Sequence, residues 1–258
     1  MLINKIPNRC LSIDMNPSYI GVSVLEKLSD SEHSVKIIKT FCYNLKHFTK
    51  KLPREATEKE RTYHRNKHKH EIKEIFIQIF NILNHYKCSV FVMEDLDFKE
   101  EKQSNKKSKE SNRQTKNIWH RRLIEQMISK LCTQFGIELV MVNPSYSSFI
   151  GNIMYDYFDP INSAIEIGRR GLYKYIKNLT GFPLISSDIV DTVETILKKN
   201  CSDVSSISHT KATWKIMFNL VKKYRYRGSF KHDKSGNTRI VNKCSMSTKK
   251  SGIKVLNY

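Results

Sequence analysis

The pattern of hydrophobic positions along this chain first turns helical near Thr62. Before it lie three short β-prone runs, at residues 9–14 (RCLSID), 18–25 (SYIGVSVL) and 34–43 (SVKIIKTFCY). Their close spacing, with a turn at Asn16-Pro17, predicts an antiparallel meander. From about Thr62 to Tyr86 the apolar residues Ile72, Ile75, Phe76, Ile79, Phe80 and Leu83 recur at the spacing of one helix face. Residues 88–94 (CSVFVME) are short, apolar and β-branched, the pattern of a buried parallel strand. A second helix is expected from Asn117 to Phe135, closed by Gly136, and a second buried strand at 137–142 (IELVMV), stopped by Asn143-Pro144. Helices are expected from Asp159 or Pro160 through Leu172, and over about 188–199 and 209–224.

Strands that first follow one another and then alternate with helices predict an α/β fold: a mixed sheet, three-strand meander then parallel strands, flanked by helices. The expected division is an α/β domain over 1–200 and a basic helical extension and tail over 201–258. Residues 99–116 carry no aliphatic or aromatic side chain and read as a flexible loop.

Composition adds a partner. The 258 residues hold 45 Lys+Arg against 25 Asp+Glu, a formal charge of +20. Such an excess suits a polyanion, since clustered cations gain affinity by releasing counterions from phosphates. None of the six cysteines forms a CxxC pair, which argues against a zinc ribbon and a disulfide framework. They read as buried thiols of a reducing compartment. No stretch suits a membrane span or signal peptide, so the expected location is the cytoplasm of a cell or of an infected host.

Three acids stand at element boundaries: Asp14 ends the first strand, Glu94 ends the fourth, and Asp159 heads a helix. If the first and fourth strands lie side by side and parallel, their C-terminal ends bring Asp14 and Glu94 together. A helix starting at that edge then supplies Asp159. Mg²⁺ or Mn²⁺ calls for such oxygen ligands, and two such ions can activate a water and stabilise the leaving oxygen of a phosphodiester. Taken singly, Asp14 before Asn16-Pro17 is also a turn former, and Asp159 a helix cap. Asp156 and Asp188 are the alternatives to Asp159.

The stretches LSIDMNPSYIGVSVLE (11–26), SVFVMEDLDF (89–98), WHRRLIEQMISKLCTQFGIELVMVNPSYSS (119–148) and DPINSAIEIGRRG (159–171) resemble the RuvC-type branch of the RNase H-like superfamily. They are most similar to the nuclease core of transposon-encoded TnpB proteins and type V CRISPR effectors. The resemblance spans about Leu11 to Gly171 and implies an RNase H-like core in which Asp14, Glu94 and Asp159 bind metal and act in catalysis. The chain differs from that family in two respects. No cysteine lies between Ser145 and Phe158, so the family's zinc ribbon is missing, and only 13 residues precede Asp14. The expectation is therefore a Mg²⁺- or Mn²⁺-dependent endonuclease working without a guide RNA. Its expected substrate is DNA, branched in particular, with an RNA–DNA hybrid as the alternative. Cutting two symmetric strands suggests a two-fold homodimer. A TnpB-like nuclease that needs RNA and a catalytically silent binder are the rival readings.

Phosphate contacts are expected from Arg65, Lys67 and Lys69 on the first helix, Arg121 and Arg122 on the second, Arg169 and Arg170 after the third acid, and Arg225 and Arg227 in the tail. Tyr224, Tyr226 and Phe230 interleave with the tail cations and suit stacking on bases or sugars. His64 and His68 sit at i, i+4 without an obvious third ligand for zinc. Ser147 and Ser148 are placed to line the edge of the acid site.

Overall fold

The computed structural model of the chain describes residues 4–16, 18–28, 34–45, 53, 55–95, 121–177, 181–200, 208, 212–223, 246–247 and 255–257. Among these, β1 (Ile6–Asn16), β2 (Tyr19–Lys27) and β3 (Val35–Asn44) form the expected antiparallel meander. Helix α1 (Glu58–His85) crosses to β4 (Cys88–Glu94), and α2 (Arg121–Phe135) crosses to β5 (Glu138–Val142). β4 pairs parallel with both β1 and β5. Three helices follow, α3 (Ser147–Met154), α4 (Asp159–Lys177) and α5 (Ser187–Asn200), and then α6 (Trp214–Lys223). Two short strands, β6 (Met246–Ser247) and β7 (Val255–Asn257), complete a sheet of order β5-β4-β1-β2-β3-β7-β6. This is the mixed α/β arrangement expected from the sequence, a three-strand meander followed by parallel strands and flanked by helices. The two last strands were not expected. Segments of two and three residues are too short to carry a period, and only the pairing of β7 with β3 and of β6 with β7 makes them strands. The loop expected at 99–116 lies outside the described residues.

Alternation along the strands divides the interior into two cores. One face of the sheet packs against α1 and α2: Leu11, Ile13, Val22, Val24, Phe91 and Met93 meet Ile72, Phe76, Phe80, Ile124 and Ile128. Phe80 stacks on Phe91 at 5.1 Å between ring centroids. The other face packs against α4, where Cys10, Leu25, Val90 and Val92 meet Ile161, Ile165, Ile167 and Leu172. A third cluster joins α3, α5 and α6 through Phe149, Ile150, Val193, Leu197, Trp214 and Met217.

Helix α1 is longer than the core it covers. Its buried residues run from Ile72 to Leu83, and its first half is polar. That half is held helical by a capping box, in which Thr57 and Glu60 each satisfy the other's backbone N–H. At 1.5 Å per residue the segment before Ile72 is about 21 Å long. Because α1 runs down from the end of β3 and returns into β4, this arm lies toward the edge where β1 and β4 end.

Cys10, Cys42, Cys88 and Cys132 are buried thiols that form no disulfide. Burial pushes the Cys88 and Cys132 thiols up to about 12, and burial, reinforced by Cys88, pushes Cys10 well above its usual range. A thiol-reactive disulfide at pH 8 should therefore label Cys10, Cys42, Cys88 and Cys132 slowly in the native protein and rapidly after unfolding. Rapid labelling of any of these four in the native protein would contradict this packing.

Candidate metal and nucleic-acid site

The acids are positioned by the way α4 lies on the sheet. Ser12 of β1 donates to the Ala164 carbonyl of α4 at 2.7 Å, so Ser12 faces that helix. Asp14, two residues further along the strand, faces the same way and is buried to 7% exposure. On β4, a side chain added at Gly171 of α4 would collide with Val92. Val92 therefore also faces α4, and so does Glu94, two residues on. Ser12 pairs with Val92 across the parallel ladder, and continuing that register brings Asp14 level with Glu94. Two carboxylates thus end neighbouring strands on one face of the sheet.

Asp159 arrives from above. The residue opposite Asp14 on β2 is Gly21, and a Cβ at Gly21 would overlap the carbonyl of Pro160. Only a glycine there lets the head of α4 sit against the sheet, so the close approach that seats Asp159 beside this edge depends on a residue without a side chain.

Each of the outer acids has a partner that orients it. Ser147, the first residue of α3, donates to Glu94 Oε1 at 2.7 Å. Asn152 donates to Asp159 Oδ1 at 2.6 Å and accepts from Asn162 at 3.0 Å. Asn162 also holds both the N–H and the carbonyl of Tyr157. The turn that delivers Ser147 contains Tyr146 at φ 62°, a left-handed conformation costly for a residue with a side chain. Tyr146 is kept there by packing on Phe182 and Phe218, with ring centroids at 5.8 and 5.0 Å. Asn152 and Asn162 escaped the sequence reading, since an amide carries no period and no charge. Their spacing of ten residues across a helix break gives no signal without the fold.

The donor chemistry fits a hard divalent cation, but the acids are not drawn into a closed trio. Among the described residues, no three His, Cys, Asp or Glu side chains come close enough together to hold a metal ion. The Asn152 amide engages Asp159 and Ser147 engages Glu94. The two alternative acids, Asp156 before α4 and Asp188 in the first turn of α5, are exposed. Zinc binding by His64 and His68 likewise gains no third ligand among the described residues.

The cations divide sharply. Arg65 and Lys67 are exposed on the α1 arm and Lys69 half-buried; Arg65 pairs with Glu58 at 3.1 Å, a surface contact of at most about 1 kcal/mol. Arg121 and Arg122 lie in the first turn of α2, where only the backbone is described, and Arg225 and Arg227 lie outside the described residues, as do Tyr224, Tyr226 and Phe230.

Arg169 and Arg170 need correcting. They were expected to reach phosphates, but they are 1% and 6% exposed and clamp the fully buried Glu166 from two sides. Arg169 donates to both carboxylate oxygens at 2.9 Å and Arg170 to one at 2.7 Å. Burial pulls the Arg169 guanidinium toward deprotonation, yet its hydrogen bonds and charge pairing with Glu166, aided by Tyr155 and Tyr173, raise it overall. Arg169 also donates to the Gly181 carbonyl, and Arg170 Nη1 to the carbonyls of Asn143 and Ser145. The sequence pattern assigned both arginines to a helix end. In the fold, residues 160–173 of α4 are buried on every side, and a cation there must take an internal partner.

Compared with known proteins, the sequence matches no family model and no curated protein. Solved structures that align with the fold include a T. thermophilus RuvC in complex with a Holliday junction substrate, at 8% identity and a TM-score of 0.37, covering 67% of this chain and 99% of that one. A second Thermus thermophilus RuvC structure aligns at 10% identity and a TM-score of 0.39, covering 68% of this chain and 99% of that one.

Proposed function

We propose that the protein is a metal-dependent endonuclease that hydrolyses phosphodiester bonds in DNA, with Asp14, Glu94 and Asp159 as its metal ligands and catalytic carboxylates. The reading rests on one observation: Asp14 and Glu94 end adjacent parallel strands on the same face, with the α4 head seated on Gly21 beside them. Mg²⁺ or Mn²⁺ bound there would supply an activated water and a counter-charge for the phosphate. Asp14 would anchor it from the sheet. Ser147 sets the direction of the Glu94 carboxylate, and Asn152 that of Asp159. The α1 arm, carrying Arg65, Lys67 and Lys69 past the strand ends, would track the phosphates of the bound strand.

The test is cleavage of four-way junction, duplex and single-stranded DNA, and of an RNA–DNA hybrid, with Mg²⁺, with Mn²⁺ and with chelator. Cleavage that needs the cation supports the reading, and paired symmetric nicks from a dimer would extend it to a resolvase. Cleavage only when a copurifying RNA is retained would point to a TnpB-like enzyme. A silent binding protein is the second reading, favoured by the absence of a closed acid trio among the described residues. Binding without cleavage under every cation would decide for it. Under either reading affinity is mainly electrostatic. It should fall on the order of 10³-fold between 50 and 200 mM salt, as for a protein neutralising six or more phosphates. A flat salt response would remove the phosphate-tracking role.

A further inference from the structure

Just past the acid edge the structure holds a cavity of about 640 Å³ that the metal chemistry does not use. It is lined by Asp95, Met141, Val142, Asn143, Pro144, Arg170, Lys174, Gly181 and Phe182. The size lies within the roughly 300–1,000 Å³ of pockets that take small ligands. Its position, outside the carboxyl ends of the parallel strands β4 and β5, is where open α/β sheets generally bind ligands. Asp95 follows Glu94 directly, so the cavity begins where the acid edge ends.

Its walls differ in chemistry. Phe182 is 42% exposed, an uncommon setting for a phenyl ring. One side of that ring is backed by the Arg170 guanidinium, 5.0 Å from its centroid. Arg170 itself is 94% buried, the complement of its 6% exposure, and its Nη2 has no hydrogen-bond partner, a costly arrangement for a cation. Lys174 stands at the rim with its ammonium on the Met141 carbonyl at 2.9 Å. That carbonyl belongs to β5, the edge strand of the sheet. The half-exposed Phe182 ring, an apolar Pro144 and the Lys174 ammonium, with Asp95 as the one carboxylate of the lining, make a site for a flat ring joined to an anion.

We propose that this cavity is a nucleotide subsite: it takes one unstacked nucleotide of a single-stranded segment, the base on Phe182 and the phosphate on Lys174. The inference deepens the nuclease reading and rests on it for the nature of the strand. A base held here fixes which phosphodiester lies at Asp14 and Glu94, because the two sites share the end of β4. Stacking serves any base, so the subsite grips a strand without reading sequence.

The probe is a single-stranded DNA oligonucleotide carrying 5-iodouracil, bound to the full-length D14N protein and irradiated, with the linked residue mapped by mass spectrometry. Binding by wild type, F182A, F182W and K174A is measured in parallel by fluorescence anisotropy. The expected results are a cross-link at Phe182, roughly tenfold weaker binding for F182A, affinity retained in F182W, and a shallower salt dependence for K174A alone. Cross-links confined to other residues, with F182A binding like wild type, overturn the proposal, and so does a failure to bind the oligonucleotide at all. Wild-type cleavage without a Phe182 cross-link sinks the subsite and leaves the nuclease standing. A Phe182 cross-link in a protein that never cleaves does the reverse. Unchanged melting temperatures would establish that F182A acts on binding and not on folding.

Discussion

Replacing Asp14 with Asn, or Glu94 with Gln, should lower DNA cleavage by on the order of 10³-fold while leaving DNA binding intact. That is about 4 kcal/mol of lost transition-state stabilisation at 1.36 kcal/mol per decade. Asn and Gln keep the shapes of the side chains but cannot balance the charge of a divalent cation. Asp14 should be the more severe position of the two, since it is the buried one and lies across from Gly21, on which the α4 head rests. Binding should persist because the phosphate contacts are assigned to the α1 arm, on the far side of the sheet from α4. The measurement is single-turnover cleavage beside anisotropy on the same substrate. If D14N cuts at the wild-type rate, the chemistry is elsewhere, and Asp156 and Asp188 are the acids to examine.

The second large effect concerns stability. Glu166→Gln removes the carboxylate that Arg169 and Arg170 share and takes that counter-charge away from two buried guanidiniums. Breaking a buried pair in this way costs about 3–5 kcal/mol, more than the pair contributes relative to an apolar core. For a chain of this size, melting should drop by on the order of 10 °C, at roughly 2–4 °C per kcal/mol. Thermal unfolding followed by circular dichroism reads this directly. A fall below about 2 °C would mean the network is dispensable. The substitution should also reach the acid edge. Arg170 fixes the carbonyls of Asn143 and Ser145, the turn from which Ser147 extends to Glu94. Ser147→Ala interrupts only the last link, so it should slow cleavage without the large loss of stability.

The sequence alone determined whatever depends on period and on local chemistry. The closely spaced β-prone runs of β1 to β3 predicted the meander, and the short apolar run of β4 predicted a buried strand. The 3.6-residue spacing of Ile72 to Leu83 fixed the buried half of α1, and a run of cations before it marked the half that is not. Asp14 and Glu94 were legible as candidates because an acid at the end of an apolar strand is costly unless something uses it. The tertiary structure decided the rest, for a physical reason common to each case: burial and partnership are properties of space, not of spacing. Arg169 and Arg170 carry the sequence signature of a solvated helix end, yet α4 is enclosed on all sides and they close on Glu166. Asn152 and Asn162 give no signal in the chain and become the support of Asp159 only once α3 folds back on α4. Gly21 looks like one more small residue in a strand until Pro160 is set against it. The cavity at Phe182 joins Asp95 just after β4, the end of β5 with the turn that follows it, α4, and the segment after α4, stretches that no sequence window contains.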